Sequence, residues 1–158
     1  MSFEFFLAAD RPIPEVKQNG SEILTVRDMI RMNVPDGPVP WKAMKEDAEV
    51  LYNRDLADFN QFHVESAPHA YKIMSNYTGF NHIYTFDVSQ LSLAKDLYDY
   101  INSLNNEINL EVWHLWFGYD YEDEVITRKT LLRSKLTPSD FEVSLNESWC
   151  IAIKSKFV

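Results

Sequence analysis

The sequence predicts an α+β fold: a single domain over residues 1–158, with a mostly antiparallel or mixed β-sheet of about six to eight strands and two or three helices packed on it. Three observations lead there. Short segments of period-two alternation recur along the chain, one long segment near residues 90–104 has a helical period, and residues 109–118 are apolar on both faces of a strand.

Taking the elements in order, Phe3, Phe5 and Leu7 alternate with Glu4, Phe6 and Ala8, which predicts an opening strand with one fully apolar face and one mostly apolar face. Thr25-x-x-Asp28 predicts a helix start, because a threonine oxygen accepts from an exposed backbone amide and an acid suits the positive end of the helix. A short helix over 26–32 follows. VPDGPVPW, residues 34–41, carries three prolines and a glycine and reads as an extended connection inside the domain. Residues 41–59 support two readings. Trp41, Met44, Ala48, Leu51, Tyr52, Leu56 and Phe59 fall within about 140° of helical arc, whereas Glu49-Val50-Leu51-Tyr52-Asn53 would serve as a strand; periodicity favours the helix.

Phe62 and Val64 alternate with His63 and Glu65 in a short half-buried strand that Pro68 closes. Residues 70–75 and 81–88 read as two strands joined in a hairpin through Asn76-Tyr77-Thr78-Gly79, with His82, Tyr84, Phe86 and Val88 on one face. Leu91, Ala94, Leu97, Tyr98, Ile101 and Leu104 predict a helix over about 90–104, capped by Ser89 and stopped by Asn105-Asn106. In the strand at 109–118, Glu111, Trp113, Leu115 and Phe117 point one way and Leu110, Val112, His114 and Trp116 the other. Such a strand belongs inside a sheet covered on both sides, or on a sheet with one face left as a groove. Val125–Leu132 is a further strand, Thr137-Pro138-Ser139-Asp140 a helical turn, and Phe141–Ile153 a closing hairpin around Asn146-Glu147.

At 46% apolar and 25% charged residues, the composition is that of a globular chain able to bury a sizeable core without a metal or disulfide staple. The one cysteine, Cys150, has no partner for an internal disulfide and excludes zinc sites built on several thiolates; within its apolar strand it reads as a small core residue. The apolar run Phe3–Ala9 is too short for a signal peptide or a membrane span, and a cytoplasmic location is the expectation. Formal charge is -9, and residues 61–127 alone carry 2 basic and 10 acidic groups. Such a surface repels polyanions, so neither nucleic acid nor membrane is expected as a partner; a basic protein is.

The candidates for chemistry are few. His63 and Glu65 would project from one strand face about 6.6 to 7 Å apart, and with His69 they form the nearest approach to a metal or acid–base cluster. A solvated strand face is the plainer account of the same residues, and no metal is expected. Deaminases pair a His-x-Glu with a later Pro-Cys-x-x-Cys, which is absent. His114 is the third catalytic candidate, set against a structural role as a neutral buried imidazole. Trp113, Trp116, Tyr119 and Tyr121 are the binding candidates. The acids Asp120, Glu122, Asp123 and Glu124 lack the spacing of a calcium loop and read, with Arg128, Lys129, Arg133 and Lys135, as the charged faces of a hairpin. The four glycines are too scattered to cradle a phosphate, so no cofactor is expected.

The order FEFFLAADRPIPE, NLEVWHLWFG, RKTLLRSKLTPSDFE, SWCIAIK resembles a group of small cytoplasmic proteins of low-GC Gram-positive bacteria that has no assigned activity. The resemblance spans most of the chain. It implies a single α+β domain and an intracellular location, and it supplies no catalytic residues. The leading functional expectation is a non-enzymatic protein-binding or regulatory module, of an immunity type among others. Its rivals are a small hydrolase or metal-assisted enzyme built on the histidines, and a structural or oligomerising domain.

Overall fold

A computed structural model of the chain describes residues 2–17, 21–53, 62–87, 93–117, 125–143 and 146–155. The chain is α+β, as expected, and divides into two compact units, residues 1–17 with 62–158, and residues 18–61.

The larger unit is built on a six-stranded sheet of β1 (Ser2–Ala9), β4 (His63–Ser66), β5 (His82–Asp87), β6 (Leu110–Phe117), β7 (Thr127–Leu132) and β8 (Trp149–Lys154). Their order across the sheet is β4-β5-β1-β6-β8-β7, and all neighbours are antiparallel except β7 and β8, which run parallel. β1 and β6 pair over their full length, Ser2 opposite Phe117 through Ala9 opposite Leu110. This central position explains the double apolar pattern of both strands. Phe5, Leu7, Val112, Ile151 and Ile153 pack beneath α3 (Leu93–Ser103), which buries Leu97, Tyr100 and Ile101, with Leu104 buried just past its end. Phe6, Ala8, Trp113, Leu115 and Cys150 form the opposite layer with Ala67, Ala70 and Met74. The two-faced strand at 109–118 and the helical period before it are therefore as expected. Val88, the Ser89 cap and the acidic run fall outside the described residues.

Three strand expectations in this unit are corrected. Residues 70–75 form no strand: a 3-10 turn at Pro68–Ala70 leads into α2 (Tyr71–Met74). Ala67, Ala70 and Met74 are buried at helical spacing while Tyr71 and Ile73 are exposed, so the apparent alternation came from the outward side of a helical turn. β7 does not pair with the preceding strand β6, because β8 is inserted between them. No hairpin closes the described chain either: Phe141 lies in the 3-10 turn Pro138–Phe141, and β8 pairs with β6 and β7 instead. The Thr137–Asp140 motif does cap that turn reciprocally, and Asp140 accepts from Lys129 at 2.8 Å.

The smaller unit pairs β2 (Ser21–Thr25) antiparallel with β3 (Glu49–Asn53). α1 (Val26–Arg31) begins at the expected cap, with the Thr25 hydroxyl accepting from the Asp28 amide at 3.2 Å and the Asp28 carboxylate accepting from Thr25. Val26, Met29, Val34 and Trp41 form its core. The helix expected from residue 41 is overturned: Trp41–Ala43 is a 3-10 turn and Glu49–Asn53 is the alternative strand. The physical reason is a partner that lies far away in sequence. Leu24 opposite Val50 and Glu22 opposite Tyr52 complete a ribbon, leaving Leu51 exposed where a helical stripe would have buried it.

Candidate functional site

The sheet register places an aromatic row across three strands. Phe5 lies opposite His114 on β6, and His114 lies opposite Trp149 on β8, with ring centroids 4.6 and 5.4 Å apart. One step along, Phe3 lies opposite Trp116 and stacks on the His114 ring at 4.4 Å and 11°. His114 is 1% exposed, and its Nδ1 lies 2.8 Å from the Glu147 carbonyl. A carbonyl oxygen only accepts, so the neutral ring carries its proton on Nδ1. Burial holds the imidazole below its ordinary range, and the bond to Glu147 offsets part of that. The Trp116 amide donates to Ser148 Oγ at 2.9 Å, and Thr127 donates to the Ser148 carbonyl at 3.1 Å, which ties the ends of β6, β7 and β8 together.

Above this row opens a groove of about 640 Å³, lined by Phe3, Trp116, Val125, Thr127, Asn146, Glu147 and Ser148. Val125 is 85% exposed at its rim. Among the described residues the lining is apolar at Phe3, Trp116 and Val125 and hydrogen-bonding at Thr127, Asn146 and Ser148, with Glu147 the one ionisable side chain. A surface of this kind accepts an apolar side chain and orients it by a few polar contacts. His114 stands behind the groove, with Nδ1 committed to backbone.

The remaining candidates are dispersed. Trp113 points to the other face, fully buried, where its Nε1 donates to Glu111 at 3.0 Å, Arg128 lies 4.7 Å over the ring, and Tyr77 meets it edge-on. It is core, and of the two tryptophans Trp116 alone borders the groove. Tyr119 and Tyr121 lie outside the described residues. His63 is half-buried on β4 opposite Asp87, Glu65 is exposed on the same strand, and His69 is exposed in the 3-10 turn. Among the described residues, no three His, Cys, Asp or Glu side chains converge to hold a metal. Cys150 is 2% exposed, and burial pushes its thiol up to about 12, with Glu111 adding to the shift.

Arg133 is a residue whose role the sequence did not disclose. It is 7% exposed in the 3-10 turn Arg133–Lys135. Its guanidinium donates to the carbonyls of Ile101 and Asn105 at 2.5 Å and of Leu104 and Ile108 at 3.2 Å, thereby closing the C-terminal end of α3. A cation set in Leu131-Leu132-Arg133 after a strand was the available signal; the acceptors lie 25 to 32 residues earlier.

No protein-family model, curated protein or solved structure matches the chain. Among the described residues, no helix is long and apolar enough to cross a membrane.

Proposed function

We propose that the chain is a non-enzymatic, cytoplasmic protein-binding module that engages an apolar side chain of a basic protein in the groove between Phe3, Trp116 and Val125. The observation that carries this reading is the groove itself: two aromatic rings and an exposed valine around a cavity of about 640 Å³, with Glu147 the one ionisable group among the described lining residues. Aromatic anchors in a concave site supply much of the binding energy in interfaces. A net charge of -9 raises the encounter rate with a basic partner and selects against acidic ones. The neutral, backbone-bonded His114 supports a scaffold role for the ring behind the groove. A regulatory protein of the immunity type, which occupies and blocks a basic surface, fits this arrangement.

The test is capture from a cytoplasmic extract at low salt, comparing the native chain with Val125→Asp, a substitution at an exposed rim position. A basic protein retained stoichiometrically by the native chain, released by salt, and lost with Val125→Asp supports the reading. Equal retention by both proteins, or retention of none, sinks it. Light scattering on the purified chain guards against self-association: a dimer that Val125→Asp dissolves would assign the groove to a second copy and overturn the partner assignment.

A further inference from the structure

At the opposite ends of β7 and β8 from the groove lies a second crevice of about 370 Å³, lined by Tyr98, Asn102, Asn106, Arg133, Ser134 and Ser155, with Leu136 beside them. It is unusual for this protein in its charge. The chain carries 24 acidic residues against 15 basic ones, yet among the described lining residues none is acidic and the one charged is a cation. Arg133 spends its terminal nitrogens on four backbone carbonyls, and its Nε is buried without a hydrogen-bond partner. Salt bridges among the described residues pair other cations with carboxylates, and Arg133 is in none of them.

The balance of charge decides which ligand fits. The carbonyls around the guanidinium, that of Ile101 from the last turn of α3, cancel part of its charge and leave the rest at the wall of the crevice. Cations are repelled there, and a neutral ligand leaves that residual charge unanswered. An oxyanion answers it and meets hydroxyl and amide donors on Tyr98, Asn102, Asn106, Ser134 and Ser155. At about 30 Å³ per water, the space holds on the order of ten waters, enough for an anionic group with a short organic body. We propose that this crevice is a binding site for a small oxyanion, a carboxylate or a phosphate group, drawn by Arg133 and held by the hydroxyl and amide walls. It is independent of the groove and of the partner proposed there.

The experiment titrates the full chain with inorganic phosphate and, separately, with acetate, each against chloride at matched ionic strength, read by calorimetry and by Tm. The expected result is one saturable site for at least one probe, with Tm rising about 5 to 10 °C at a hundredfold excess over Kd. Binding of phosphate alone assigns a phosphate ligand, and binding of acetate alone a carboxylate. Asn102→Asp, at an exposed helix position, places a carboxylate on the crevice wall and is expected to weaken binding about tenfold or more while unfolding stays cooperative. Absence of a saturable response to both probes overturns the proposal, as does undiminished binding by Asn102→Asp, which would mark an ion held elsewhere.

Discussion

Arg133→Met removes the guanidinium that closes α3 and leaves the carbonyls of Ile101, Leu104, Asn105 and Ile108 without it. Hydrogen bonds from a charged donor contribute roughly 1.5 to 3 kcal/mol each, so the gross loss over four is about 6 to 12 kcal/mol. Two effects oppose it. The folded state no longer has to desolvate a cation, a cost of several kcal/mol, and the methionine side chain recovers part of the apolar contact. The net expectation is a loss of about 3 kcal/mol, or about 6 to 12 °C in Tm for a chain of this size. Arg133→Lys keeps the charge but replaces a planar fork with a single ammonium, and should lose roughly half as much. Urea unfolding followed by tryptophan fluorescence measures the change, and amide exchange at Leu104 and Ile108 locates it. An Arg133→Met protein within about 0.5 kcal/mol of the native one would refute the claim that this side chain closes the helix.

Two further predictions concern groups within the sheet. Because burial holds His114 below its ordinary pKa of 6.5, the unfolded chain takes up that proton first as pH falls. Its contribution to stability is therefore intact above about pH 6.5 and declines below it. The native protein should lose more stability than His114→Phe between pH 7.5 and pH 5 in urea titrations, and a pH-independent difference between the two would show that the ring does not titrate in this way. Cys150, with its thiol pushed up to about 12 and 2% exposed, should resist a thiol-specific reagent at pH 8 until the chain is unfolded; labelling of the folded protein at the rate of a free thiol would place the side chain outside the core.

What the sequence disclosed depended on how far away the deciding partner lay. The Thr25–Asp28 cap and the Thr137–Asp140 helical turn are complete within four residues, and both form as read. The α3 stripe and the two-faced β6 each report their own environment at every position, so their periods were legible. β3 was misread because Leu51 takes its place from Ile23, 28 positions earlier, while Trp41 and Met44 imitated a helical face. The charged strand also has distant partners: Arg128 and Lys129 suggested pairing with the acids just before them, which lie outside the described residues, while Lys129 also bonds Asp140 and Arg128 lies over Trp113. At the site, Trp116 was recognisable as one of four aromatic candidates, but the side of the sheet that stays open was not. That is decided by Glu147 and Ser148, which reach β6 from the turn before β8.

The placement of β1 has a consequence for how the protein is made. FEFFLAA leaves the ribosome well before the strands that flank it, which arrive only with residues 82–87 and 110–117. At about 5 to 20 residues per second, a bare phenylalanine-rich ribbon must wait several seconds for its neighbours. During that interval its backbone is unpaired and its phenylalanines are open to other chains, until β6 emerges to cover one edge.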